Sequence, residues 1–320
     1  MAFDFRLSGN TLKIPSINFI GRCATSPNGR FVLGWQDADY RGMGSGYYRG
    51  GFRKSGHGRV VLLRDGEFHW ECDLERPNDG AVANTGHVVV NDWGFGLTPR
   101  GKFWAFDSEG HTILCESFRS TIFSIGITED GSVAYCTGST VKPGPGTERL
   151  FVYSTQNHSL LFNSPLHPWR IIGITNRGAE IAITTQYERL NYSLDGTILG
   201  SGEFLAEGVT KTLESNRLEE LLFVARHFLD ESRVGSLSSE SRELLMQVLS
   251  KIASEGNSPD YREAAERELG EIAFRRGDKL TALAHLRNAI TLNPKVGVKR
   301  LISQLEKNLG RLPTSEPEAK

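Results

Sequence analysis

Gly126-Ile127-Thr128-Glu129-Asp130-Gly131-Ser132-Val133-Ala134-Tyr135-Cys136 carries the reading of the fold. A small residue, an apolar residue and a small polar residue lead into a turn glycine, and a second apolar stretch follows. The same order recurs at Cys23-Ala24-Thr25 up to Gly29, at Ala81-Val82-Ala83-Asn84 up to Gly86, and at Gly173-Ile174-Thr175 up to Gly178. The apolar stretches after those glycines are Phe31–Trp35, Val88–Trp93 and Ala179–Thr184. Self-similarity at a fixed spacing marks a repeat architecture.

A second pattern interleaves with the first. Val60–Leu63 and Phe68–Cys72 flank Asp65-Gly66, and Phe103–Phe106 and Thr112–Cys115 flank Glu109-Gly110. Leu150–Tyr153 and Ser159–Phe162 flank Gln156-Asn157, and Leu190–Tyr192 and Thr197–Leu199 flank Asp195-Gly196. Such turns suit two-residue hairpins, whose central residues take positive φ. Each unit is thus four short strands in about 45 residues, the size of a propeller blade. Phe3–Leu7, Ser8-Gly9-Asn10 and Thr11–Ile14 add what reads as the outer hairpin of a further blade. The count predicts a small β-propeller of four to five blades over residues 1–205, either five-bladed with one incomplete blade or four-bladed with an appended hairpin. In size and turn chemistry the units resemble WD40-type propellers, a resemblance of architecture.

The pattern then changes to a period of 3.6. From about Leu213, one face collects Leu218, Leu221, Leu222, Ala225, Phe228 and Leu229, and a later one Leu244, Leu245, Val248, Leu249 and Ile252. Ser258-Pro259 is a helix entry, with serine as cap and proline in the first turn. Leu269-Gly270, Ala282, Leu286, Ala289 and Pro294, with Gly277-Asp278 at the turn, resemble the tetratricopeptide (TPR) pattern. Glu266, Ala273 and Leu286 stand where that pattern carries aromatic residues. The resemblance implies an all-α TPR-like domain over 206–312, with a groove for a peptide or helix. Arg275, Arg276, Lys279 and Arg287 are candidates for a basic wall of that groove. Residues 313–320 read as a disordered tail.

Composition narrows the function classes. The net charge of −1 supplies no global attraction to nucleic acid or to an anionic membrane. The first ten residues do not read as a signal peptide, and no apolar run is long enough for a spanning helix. Cys23, Cys72, Cys115 and Cys136 form no Cys-x-x-Cys pair and read as buried free thiols, which suits a reducing cytoplasm. No cofactor motif appears: Gly42-x-Gly44-x-Gly46 lacks the strand-to-helix context of a dinucleotide site.

The candidate site is a loop. Residues 40–54 combine Arg41, Tyr47, Tyr48, Arg49, Phe52 and Arg53 with glycines and almost no acid, and Trp93 and Phe95 extend the same face. Aromatic and arginine side chains dominate protein interfaces, so a protein-binding loop is the favoured reading. Single-stranded nucleic acid is the second, because stacking and phosphate contacts use the same residues. An acid–base group from Asp37, Asp39, His57 and Asp92, serving an enzyme acting on a small or sugar-like substrate, is the third. Trp35, Trp70, Trp104 and Trp169 are expected to pack between blades, and His111, His158 and His167 to be ordinary surface residues. The sequence therefore predicts a non-enzymatic scaffold or adaptor, with partners on the loop face and the helical groove.

Overall fold

In the computed structural model, the four repeat glycines Gly29, Gly86, Gly131 and Gly178 all take positive φ, between 73° and 88°. That conformation costs a side chain but not glycine, which is why the repeat keeps this residue there. The structure describes residues 4–38, 57–94, 100–141, 147–165, 171–200, 202–229 and 237–309, and the backbone of 51–52. The chain divides into two units, Met1–Leu199 and Gly200–Lys320.

The first unit is β-propeller-like. Its first sheet holds β1 (Arg6–Ser8), β2 (Thr11–Ile14), β3 (Phe19–Thr25), β4 (Phe31–Asp37), β5 (Gly51–Phe52), β6 (Gly58–Arg64) and β7 (Glu67–Leu74). Two four-stranded antiparallel sheets follow. One contains β8 (Pro77–Val82), β9 (Val88–Asp92), β10 (Gly101–Phe106) and β11 (Thr112–Phe118). The other contains β12 (Ile125–Ile127), β13 (Val133–Gly138), β14 (Arg149–Ser154) and β15 (Ser159–Pro165). The fourth pairs β16 (Ile171–Asn176), β17 (Glu180–Thr185) and β18 (Glu188–Ser193), with Tyr192 and Ile198 bridged beyond them.

Alternation along strands explains how the sheets stack. Val88 and Val90 join Leu33, Trp35 and Leu62 in one core, whereas Val89 joins Ala134, Cys136 and Phe151 in the next. Val133 and Tyr135 then pack with Ile181, Ile183 and Leu190. With a side-chain period of two, a strand buried on both faces feeds two cores at once. Trp35 is buried in the first of these cores and Trp70 and Trp104 pack against it, as expected; Trp169 lies outside the described residues.

The repeat turns also hold one another. Asn28 N–H donates to Asn84 Oδ1 (2.8 Å), and Asn84 N–H donates to the Glu129 carbonyl (2.8 Å). Asn176 Nδ2 donates to Ser132 Oγ (2.8 Å). These three links tie the four turns in series.

Two expectations are corrected, while the opening hairpin takes one of its two expected places, appended to the first sheet: β3 pairs with β2 over Phe19–Arg22 and with β4 over Arg22–Thr25. Leu12, Ile14 and Phe19 thereby pack with Val32, Val61 and Leu63, on the other face of the first sheet. Close packing there needs glycine, since a Cβ on Gly34 would lie 2.7 Å from Leu12 Cδ2 and one on Gly21 only 2.1 Å from the Trp35 carbonyl oxygen. Among the outer hairpins, only Asp65-Gly66 has both residues at positive φ; in the third the left-handed residue is His158. The cysteines are all free, but Cys115 is exposed and only Cys136 is fully buried.

The second unit opens on β19 (Glu203–Phe204) and continues as α1 (Ala206–Glu214), α2 (Leu218–Leu229), α3 (Ser239–Glu255), α4 (Pro259–Arg275), α5 (Lys279–Leu292) and α6 (Lys299–Leu309). Ser258 caps α4 by accepting from Asp260 N–H (3.1 Å), with Pro259 in the first turn. Gly270 is where α4 meets α5, because a Cβ there would stand 2.7 Å from Leu286 Cγ. Ala282, Leu286 and Ala273 continue into a core with Val298, Ile302 and Leu305. Arg287 pairs with Glu306 (2.7 Å), whereas Arg275, Arg276 and Lys279 lie exposed about the α4–α5 turn. Among the described residues no helix is long and apolar enough to cross a membrane.

Candidate binding cleft

Most of the loop singled out in the sequence, including Arg41, Tyr47, Tyr48, Arg49 and Arg53, lies outside the described residues, as does Phe95. Phe52 belongs to β5, whose backbone runs parallel to the end of β4 (Asp37 opposite Phe52). Trp93 is described and half-buried, with the Arg76 guanidinium 5.9 Å from its ring centre.

The acids beneath this face are structural. Asp37 is buried and takes a two-pronged contact from Arg76, Nε to Oδ1 at 3.2 Å and Nη2 to Oδ2 at 3.1 Å. Buried Asp92 accepts from the backbone N–H groups of Glu75 (3.2 Å), Arg76 (2.7 Å) and Gly94 (2.9 Å). Lys102 Nζ reaches Glu75 Oε1 at 2.5 Å, and hydrogen bonding to Glu75 raises the lysine's pKa. Asp37 and Asp92 thereby tie down the ends of β4 and β9. His57 is exposed, and Asp39 lies outside the described residues.

Beside this network opens a cleft of about 880 Å³ that the sequence reading did not single out. It is lined by Arg22, Cys23 and Ala24 of β3, Asn78, Asp79 and Gly80 of β8, and Asn91 of β9, with Asn10, Trp35 and Trp93. Thr121, Ile122 and Phe123, from the segment joining the second and third sheets, complete it. A register shift between Pro77 and Asp79 leaves Asn78 as a bulged residue opposite no partner on β9. Bulges re-aim a side chain in this way at functional rims. Trp35 Nε1 donates to the Asn78 carbonyl (3.0 Å) and fixes the bulge from below.

The lining combines neutral polar groups with aromatic ones. Asn91 Nδ2 donates to the Ile122 carbonyl (2.9 Å), which orients the amide and leaves Oδ1 buried without a partner. Trp93 Nε1 is likewise buried and unpartnered. Phe123 is 65% exposed at the mouth. Burial pushes the Cys23 thiol up, so the sulfur in the lining is held in its weakly nucleophilic form. Among the described residues no histidine lines the cleft, and Asp79 is the one carboxylate in its lining.

No family model matches the chain, and no curated protein does. Solved structures do. The β-propeller domain of the Trilobed protease from Pyrococcus furiosus aligns at 11% identity and a TM-score of 0.38, covering 58% of this chain and 57% of that one. BamB from Moraxella catarrhalis aligns at 12% and 0.32, covering 63% of each chain. A gluconolactonase from Xanthomonas campestris aligns at 15% and 0.32, covering 57% of this chain and 60% of that one. The chain thus spans less than two thirds of the length of these structures. The likenesses are too distant to lend it any of their functions.

Proposed function

We propose that this chain is a non-enzymatic scaffold or adaptor whose first unit holds a protein partner at the face carrying the cleft. One observation carries the reading. The acids beneath that face, Asp37 and Asp92, are spent on the framework, while the Asn91 amide oxygen and the Trp93 indole N–H in the cleft are left without protein partners. Catalysis of acid–base type needs a titratable group within reach of a reacting atom. Binding needs what is present here, a few convergent polar groups among aromatic ones. Arg41, Tyr47, Tyr48, Arg49, Phe52 and Arg53, singled out in the sequence, are further contacts in this proposal. The helical unit, TPR-like in its α4–α5 pair, takes a second partner.

Affinity capture of the tagged chain from its native host, with and without nuclease, tests this. A partner protein recovered near stoichiometry despite nuclease supports the scaffold. Recovery that disappears with nuclease replaces it by the nucleic-acid reading.

A further inference from the structure

Three polar side chains in the cleft are built for a ligand. Asn78 is only 7% exposed, stands on a bulge, and its amide makes no hydrogen bond to the protein. Asn91 is 3% exposed with Oδ1 unpartnered. Arg22 is half-buried on β3 and makes neither an ion pair nor a side-chain hydrogen bond. Buried polar groups in native proteins are nearly always satisfied, so the buried Asn91 Oδ1, beside an unengaged Asn78 amide and Arg22 guanidinium, points to partners supplied from outside. A half-buried guanidinium matches a carboxylate, with two parallel hydrogen bonds. Asn91 Oδ1 requires an N–H donor, and the Asn78 amide donates and accepts at once, as a peptide group does. Phe123 and Trp93 offer apolar surface for the side chains between.

Resting on the scaffold reading, we propose that the cleft receives an acidic peptide segment of the partner, with its carboxylate on Arg22 and its backbone amides on Asn78 and Asn91. Asp79, whose Oδ1 accepts from Gly80 N–H (2.9 Å), is the carboxylate among the described lining residues. The cleft selects one carboxylate in one position.

The test is a positional-scanning library of N-acetylated, C-amidated hexapeptides bound to the full chain, with Arg22→Gln and Asn78→Ala beside it. Asp or Glu should be preferred over Asn or Gln at one position by about tenfold or more, the scale of a charge-assisted hydrogen bond. Arg22→Gln should erase that preference, and Asn78→Ala should weaken all peptides alike. A library without acid selection overturns the proposal, as does selection that survives in Arg22→Gln. Saturable binding of glucuronate in place of any peptide also overturns it, reassigning the cleft to a sugar acid. Affinity capture with the Arg22→Gln chain separates the two readings. A partner retained undiminished by this variant leaves the scaffold standing and removes the cleft from it. Absence of any partner on the unaltered chain removes the scaffold itself.

Discussion

Gly34→Ala offers a quantitative check on the packing of the opening hairpin. The added methyl would lie 2.7 Å from Leu12 Cδ2 and 3.0 Å from two ring atoms of Phe19, both side chains being buried to 1% exposure or less. Neither can swing into solvent, so the strain is absorbed by shifting the hairpin over β4. Overpacking of this kind costs about 1–3 kcal/mol. All five tryptophans precede residue 200, so intrinsic fluorescence during urea unfolding reports the first unit separately from the helices. Leu12→Ala alone should cost about 2–5 kcal/mol through the cavity it leaves. The double variant should cost less than the two together by about 0.5–3 kcal/mol, because the new methyl occupies that cavity. An unchanged midpoint for Gly34→Ala, or strict additivity in the double variant, would refute the hairpin's placement.

Further outcomes follow from the charged and turn residues. Arg76→Ala should destabilise the first unit by about 3–5 kcal/mol, since it strands the buried Asp37 carboxylate; Asp37→Asn in the same chain should recover part of that in urea unfolding. Burial, then the Glu268 carboxylate, raises the Glu271 pKa above about 4.5. The protonated form is favoured in the folded state, so helical stability is fullest below that value and declines as pH rises through the folded pKa. Circular-dichroism melts of Glu271→Gln should therefore show no loss at pH 7 and a flatter pH profile. Burial opposes ionisation of Asp130, but hydrogen bonds from Thr128 Oγ1 and from the Ser132 N–H and hydroxyl outweigh it and hold the carboxyl below its usual 3.8. Its contribution is present above that value and lost as pH falls through the folded pKa, so Asp130→Ala should reduce the acid sensitivity of tryptophan fluorescence.

The strands, their turns and the change to helices were legible because they rest on local periodicity. Gly131 and its three counterparts announce the turns, and Val88–Val90 announces a strand buried on both faces. What escaped was set by distant partners. The hairpin's fold-over depends on Gly34 meeting Leu12, and the roles of Asp37 and Asp92 depend on Arg76 and its neighbours. The cleft escaped for the same reason: Asn91 sits inside the apolar stretch Val88–Trp93, and nothing local marks Arg22 or Asn78 as cleft residues before the segments converge. Asn78-Asp79 and Asn91-Asp92, polar pairs at strand ends, were the signal present in the sequence. Of the residues chosen from the sequence, Trp93 lines the cleft, and the others apart from the Phe52 backbone lie outside the described structure.

Whether a partner sits at the face around the cleft is read out by site-specific photo-crosslinking. Benzoylphenylalanine replaces Phe123 at the mouth of the cleft or, as a control, Leu160 on β15, 45% exposed. The expected result is an adduct with one defined partner polypeptide from position 123 and none from position 160. No adduct from position 123, or equal adducts from both positions, would contradict it.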